Sequence, residues 1–184
     1  DISGFTSLTE ALANELGPRR GAEELTAHVN RAFDALISEL DRFGGHVIYF
    51  SGDAITCWLD GDDGARATAC ALAMQRAMSG IADVVTPAGS RVRLTVKAAV
   101  AVGAARRFVV GDPDVQLIDV LAGRLIDALA TAEHLAARTE VLLDRSVLES
   151  LEGRVALSEV RRDPESNHAF GVVARLNVAV DDAP

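Results

Sequence analysis

A chain of 184 residues that is 49% hydrophobic is long enough to bury one domain core and too apolar for a disordered segment. Its formal net charge of −9, from 18 Lys and Arg against 27 Asp and Glu, excludes nonspecific nucleic-acid binding, whose affinity comes from cations that neutralise phosphates. No apolar run approaches the length of a membrane span and no signal peptide is visible, so the expectation is a cytoplasmic segment with no membrane contact. Cys57 and Cys70 lack metal-ligand spacing and read as buried thiols of a reducing compartment. Asp1 has no initiating methionine before it, which is read as a polypeptide that began upstream.

The opening stretch, DISGFTSLTE, places an aspartate ahead of a glycine turn and a helix. Ser7-Leu8-Thr9-Glu10 matches the capping-box pattern, and Gly4 permits a tight turn before it. A helix start with free amides is an anion site. An aspartate beside it repels phosphate unless a cation stands between them, and that is the first indication of a metal. Leu25, Val29, Phe33, Leu36, Leu40 and Phe43 then recur at helical spacing, and Gly44-Gly45 stops the run. Residues 46–50 and 54–59 are β-prone runs joined by Ser51-Gly52-Asp53, the pattern of a hairpin.

Residues 62–79 are Ala-rich and predict a helix, and Pro87-Ala88-Gly89 a loop. Residues 91–103 predict one central strand, and 106–120 an extended segment broken at Gly111-Asp112-Pro113. Leu125, Leu129, Ala132 and Ala136 mark the apolar stripe of another helix. A strand at 141–143, a helical turn at 145–151 and closing strands at 155–160 and 170–178 follow. Residues 1–180 are expected to form one domain and 181–184 the start of a linker. The order of elements predicts an α+β fold, a mainly antiparallel sheet with helices packed on one face.

Two carboxylates carry the chemistry. Asp53 in a hairpin turn and Asp1 near a helix start each have an ordinary role in satisfying backbone amides. Together, at a sheet edge beside a phosphate-ready helix start, they suit paired divalent ions for phosphoryl chemistry. Lys97, the sole lysine, lies within an apolar strand run and needs either a partner or an edge position with its head in water.

The pair DISGFTSLTE and FGGHVIYFSGDAITCW resembles the class III adenylate/guanylate cyclase catalytic domain over most of the chain. Within that family it is most similar to the first catalytic half of soluble-type, bicarbonate-responsive adenylyl cyclases and their bacterial relatives. The resemblance implies a ferredoxin-like palm fold, its first strand truncated at the N-terminus. It implies Asp1 and Asp53 as catalytic metal ligands, the Ile2 carbonyl as a further ligand, and two Mg²⁺ or Mn²⁺ ions. The amides of Gly4, Phe5 and Thr6 would hold the triphosphate, with Lys97 on its terminal phosphates.

Four positions depart from the family pattern. Tyr49 stands where homodimeric members carry a base-selecting lysine, and Asp127 and Thr131 stand where they carry the ribose-orienting Asn and the transition-state Arg. In the soluble cyclases bicarbonate is bound through the lysine that is Tyr49 here and an arginine that corresponds to Ala130. The resemblance therefore implies an ATP-using adenylate cyclase half-domain that forms cyclic AMP and pyrophosphate only with a complementary second half, in the same chain or another. The competing expectation is an inactive pseudocyclase module for nucleotide binding, dimerisation or regulation. A cyclic-dinucleotide synthase is disfavoured, because His46 stands where its signature needs an acid.

Overall fold

A computed structural model of the chain describes residues 1–180, so the expected linker at 181–184 lies outside the described residues. In order, the elements are β1 (Ile2–Ser3), α1 (Phe5–Arg42), β2 (His46–Ser51), β3 (Ala54–Trp58), α2 (Ala65–Ser79), β4 (Asp83–Val85), β5 (Arg91–Arg93), β6 (Thr95–Val96) and β7 (Ala98–Val100). They continue as β8 (Arg106–Asp112), β9 (Gln116–Ala122), α3 (Arg124–Leu135), β10 (Val141–Leu143), α4 (Arg145–Ser150), β11 (Val155–Arg162) and β12 (Ala169–Leu176). The architecture is α+β with mainly antiparallel pairing, as expected.

Gly4 sets the start of α1. Its φ is 109°, and a Cβ there would stand 2.6 Å from the Arg93 carbonyl oxygen, closer than real Cβ atoms approach. The helix consequently begins at Phe5, and the predicted capping box is corrected. Ser7 and Glu10 fall inside the helix, no side chain caps its start, and the Thr9 hydroxyl donates to the Phe5 carbonyl at 2.7 Å. The expected helix around residues 25–43 is the second part of α1. Gly17, with φ 78° and ψ 167°, breaks the helical path. Pro18 follows where a first helical turn tolerates a missing N–H.

The strand expected across residues 91–103 is three strands, because the segment changes partners as it runs. β5 pairs antiparallel with β4, a strand the sequence reading missed; β6 pairs antiparallel with β1; β7 pairs parallel with β10. Beyond β10 the sheet continues antiparallel to β12 and then β11.

Alternation along the β1–β6 pair and along this four-stranded sheet separates two faces. Ile2 and Val96 pack with Leu8, Leu12 and Leu36 of α1 and Met74 of α2. Val100, Val141 and Leu143 pack with Ala71 of α2 and Val147 of α4. The intervening residues Ala99 and Leu142 instead meet Ala132 of α3, together with Phe170 and Val172. The helices therefore lie on one face as expected except for α3, which covers the other, because its small residues Ala132 and Ala136 let it approach Leu142 closely. Cys70 is buried and Cys57 half-buried, both are free thiols, and burial pushes them up to about 12 and about 11.

Glu15 ties α1 to the β4–β5 loop. Its carboxylate accepts from the Thr86 hydroxyl at 2.6 Å, the Ser90 hydroxyl at 2.7 Å and the Ala88 amide at 3.0 Å. Those bonds, the one from Thr86 foremost, hold its pKa below the usual 4.5. A depressed carboxylate pKa contributes stability above the unfolded value, and the contribution disappears as pH falls through the folded one. Wild type is expected to melt higher than Glu15→Gln at neutral pH, with the two converging as pH falls through the depressed folded pKa when thermal midpoints are compared across pH. Gly4→Ala is expected to cost about 1–3 kcal/mol in urea unfolding through strain at a positive φ. Gly52→Ala, where an added Cβ meets nothing within 4 Å, is expected to cost less.

Candidate active site

The site is assembled around Ile2. Asp1 and Lys97 exchange both backbone bonds, each 3.0 Å long, which makes them a hydrogen-bonded antiparallel pair with side chains on the same face. That face is the one covered by α3, since Val96 on the other parity packs against α1 and α2. At Ile2 the backbone turns the other way, and its amide donates to the Asp53 carbonyl at 2.9 Å. In an extended residue the carbonyl points to the same side as the amide. The Ile2 carbonyl and the Asp53 turn thus share one edge, next to Asp1.

Asp53 is presented by the β2–β3 hairpin, in which Ser51 pairs with Ala54 across a two-residue turn. Gly52 takes φ 62°, the positive value such a turn requires. Asp1 and Asp53 are both half-buried, so they are partly shielded from water while keeping access to a ligand. Immediately beyond β1, the amides at the start of α1 lack a side-chain cap and no acid occupies the first turn. The first bond there runs from the Leu8 amide to the Gly4 carbonyl at 3.1 Å. The amides ahead of Leu8, including those of Phe5 and Thr6, stand at the positive end of the helix dipole.

No cluster of three or more His, Cys, Asp or Glu suited to a metal occurs among the described residues. The candidate donors are the two carboxylates and the Ile2 main-chain carbonyl. Hard oxygen donors of that kind fit magnesium or manganese, which keep water and substrate oxygens in their remaining positions.

Lys97 has both features the sequence reading held as alternatives, a partner and a partly exposed head. Its side chain is 19% exposed, and Nζ lies 2.7 Å from Glu133 Oε1 and 3.2 Å from the Glu133 carbonyl. Glu133 was missed by the sequence reading. The one signal for it was the requirement that a lone lysine in an apolar strand find a carboxylate. Tyr49 lies on β2 opposite Thr56 and is 40% exposed. Asp127 and Ala130 are exposed on α3, and the Thr131 hydroxyl donates back to the Asp127 carbonyl at 3.0 Å. These four positions add no cation to the face.

Arg161 anchors the C-terminal end of α3. It reaches the Leu135 carbonyl at 2.9 Å and both Glu140 oxygens at 2.6 and 2.8 Å. These bonds hold the Glu140 carboxyl below its usual range and raise the Arg161 guanidinium above its own. Arg161→Gln is expected to lower the thermal midpoint measurably. Arg145→Gln, which removes only an exposed one-turn pair with Glu149, is expected to leave it unchanged.

No protein-family model matches the chain. It is 27% identical to adenylate cyclase type 10 of Mus musculus over 159 residues, 81% of this chain and 10% of that protein. To the Homo sapiens protein of the same name it is 40% identical over 55 residues, 30% of this chain and 3% of the relative. The chain thus spans a small part of the curated relatives it matches. Among solved structures, the guanylyl cyclase Cya2 superposes with a TM-score of 0.71 at 21% identity, covering 96% of this chain and 89% of that one. The adenylyl cyclase CyaB from P. aeruginosa gives 0.68 at 20%, covering 97% and 93%. A guanylate cyclase domain from Catenaria anguillulae, solved in complex with GTP, gives 0.69 at 17%, covering 96% and 92%.

Proposed function

Because this chain has the fold of the class III adenylyl and guanylyl cyclase catalytic domains and is similar in sequence to adenylate cyclase type 10, we propose that it is the metal-bearing half of a composite adenylate cyclase site. The observation that carries the reading is the Ile2 to Asp53 backbone bond. It brings the Asp53 turn and the Ile2 carbonyl to one edge beside Asp1, with two residues between Ile2 and an uncapped helix start.

In this reading Asp1, the Ile2 carbonyl and Asp53 hold two divalent ions, magnesium or manganese, which when bound activate the ribose 3′-hydroxyl and neutralise the departing pyrophosphate. The amides of Gly4, Phe5 and Thr6 orient the triphosphate, and Lys97 balances charge on its terminal phosphates. Tyr49, Asp127, Ala130 and Thr131 supply neither a base-selecting lysine nor a transition-state cation. A second half, in the same polypeptide or another, contributes the lysine, Asn and Arg. The sequence relatives' name supports ATP as substrate.

The β8–β9 hairpin supports the need for a second half. Phe108, Val110 and Ile118 lie along one of its faces and Val109 and Leu117 along the other, all exposed. A polar hairpin would suffice for a monomer.

A second reading, an inactive nucleotide-binding module, is favoured by one observation: the Lys97 ammonium is already paired with Glu133.

The chain alone is expected to show little or no cyclase activity with Mg²⁺ or Mn²⁺ and either ATP or GTP. The chain plus the polypeptide that follows it is expected to be active, and Asp53→Ala in that longer protein to lose at least about a thousandfold, as loss of charge stabilisation does in other phosphoryl transfers. Nucleotide binding without turnover in the longer protein, under every metal and nucleotide, would establish the second reading.

A further inference from the structure

Among the described residues, the Lys97 ammonium is paired with Glu133. Its strand, β6 running into β7, turns it toward α3, and there Glu133 meets it twice, with Oε1 at 2.7 Å and with the main-chain carbonyl at 3.2 Å. The two ends of the pair are unequal. The Glu133 side chain is 41% exposed, whereas that of Lys97 is 19% exposed. The carboxylate can therefore swing into water at little desolvation cost, while the ammonium, fixed by the carbonyl and by its strand, stays in place.

An ammonium has three donors, and an ion pair whose carboxylate end is this exposed is weakened by solvent. A polyphosphate carries more charge than one carboxylate and makes stronger charge-assisted bonds. Glu133 is also one turn beyond Ala130 on the helix that carries Asp127 and Thr131, so whatever releases its carboxylate loosens a tie between α3 and the strand beside Asp1.

We propose that Glu133 is an internal competitor for Lys97: a polyphosphate entering beside Asp1 displaces the Glu133 carboxylate, and that exchange lowers affinity for the anion and couples its arrival to α3. The proposal rests on the phosphate role assigned to Lys97 above. Glu133 acts through Lys97 and is a positioning residue, not a catalytic one. It also reconciles the pairing seen here with a nucleotide role, since the pair is the resting state of the phosphate site.

The test is a double-mutant cycle read by binding. Inorganic tripolyphosphate with Mg²⁺ is titrated calorimetrically into the chain as wild type, Glu133→Gln, Lys97→Ala and the double variant. Glu133→Gln preserves the side-chain shape and the main-chain carbonyl, and circular dichroism melts check that each variant is folded. The expected result is about two- to fivefold tighter binding for Glu133→Gln, the factor a partly exposed ion pair is worth. That gain should vanish in the Lys97→Ala background. An equal gain in both backgrounds would mean that only the general field of a carboxylate was removed, and would overturn the competitor role. Weakened binding in Lys97→Ala with no gain in Glu133→Gln would also overturn it while leaving the proposed function intact. Wild-type affinity in Lys97→Ala would remove Lys97 from the phosphate site and overturn the competitor role, as would the absence of binding in all four proteins; the metal-bearing reading is judged separately, by the activity of the longer protein and its Asp53→Ala variant.

Discussion

Two-sided pairing of a very short strand is the constraint on which the rest of the molecule depends. β1 has two residues, too few to be stable as a strand by itself. It is held because Ile2 is buried on the α1 and α2 face, because Asp1 exchanges two bonds with Lys97, and because the Ile2 amide reaches Asp53. Gly4 adds a steric condition, for only a residue without a side chain passes Arg93 closely enough to send α1 back over the sheet. The same four residues therefore end the strand, start the longest helix and line up the acidic edge.

The division of faces follows from period-two alternation, and it lets one stretch of strand carry core residues on one face and the candidate-site lysine on the other. Val96 and Val100 go into the cores beneath α1, α2 and α4, while Lys97 and Ala99 face α3. A one-residue slip of β6 would send the lysine into the core and Val96 onto the site, so the register is fixed by the hydrophobic cost of the alternative. The helix on the site's side is the least buried of the three long ones, with Ala132 alone fully enclosed. The Arg161 network fastens its C-terminal end.

How much of this was legible in the sequence depended on the range of the forces involved. The β2–β3 hairpin could be read locally because Gly52-Asp53 carries its own turn chemistry, and the two aspartates proposed as metal ligands were singled out through motifs that are contiguous in the chain. The start of α1 was misread because the decisive contact, Gly4 against Arg93, spans about half of the described chain, and the capping-box pattern gave no hint of it. The division of residues 91–103 into three strands was illegible for the same reason, since it records which partners lie alongside and not what the residues prefer. Lys97 announced that it needed a partner, but several acids along the chain would have satisfied the sequence equally, and only the placement of α3 selects Glu133.

The exposed β8–β9 hairpin bears on how the proposed half-domain would best be carried in a polypeptide. Its turn places Val115 at 82% exposure, and its apolar residues on both faces bind well only when a counterpart is at hand. Supplied from a separate chain, that counterpart must be found by diffusion and lose translational freedom on every encounter. Tethered by a linker, it is present at an effective concentration on the order of millimolar, so even a modest surface stays docked. If the proposed second half exists, a hairpin this apolar favours gene arrangements that keep both halves on one translation product, where the exposed surface would be covered soon after synthesis.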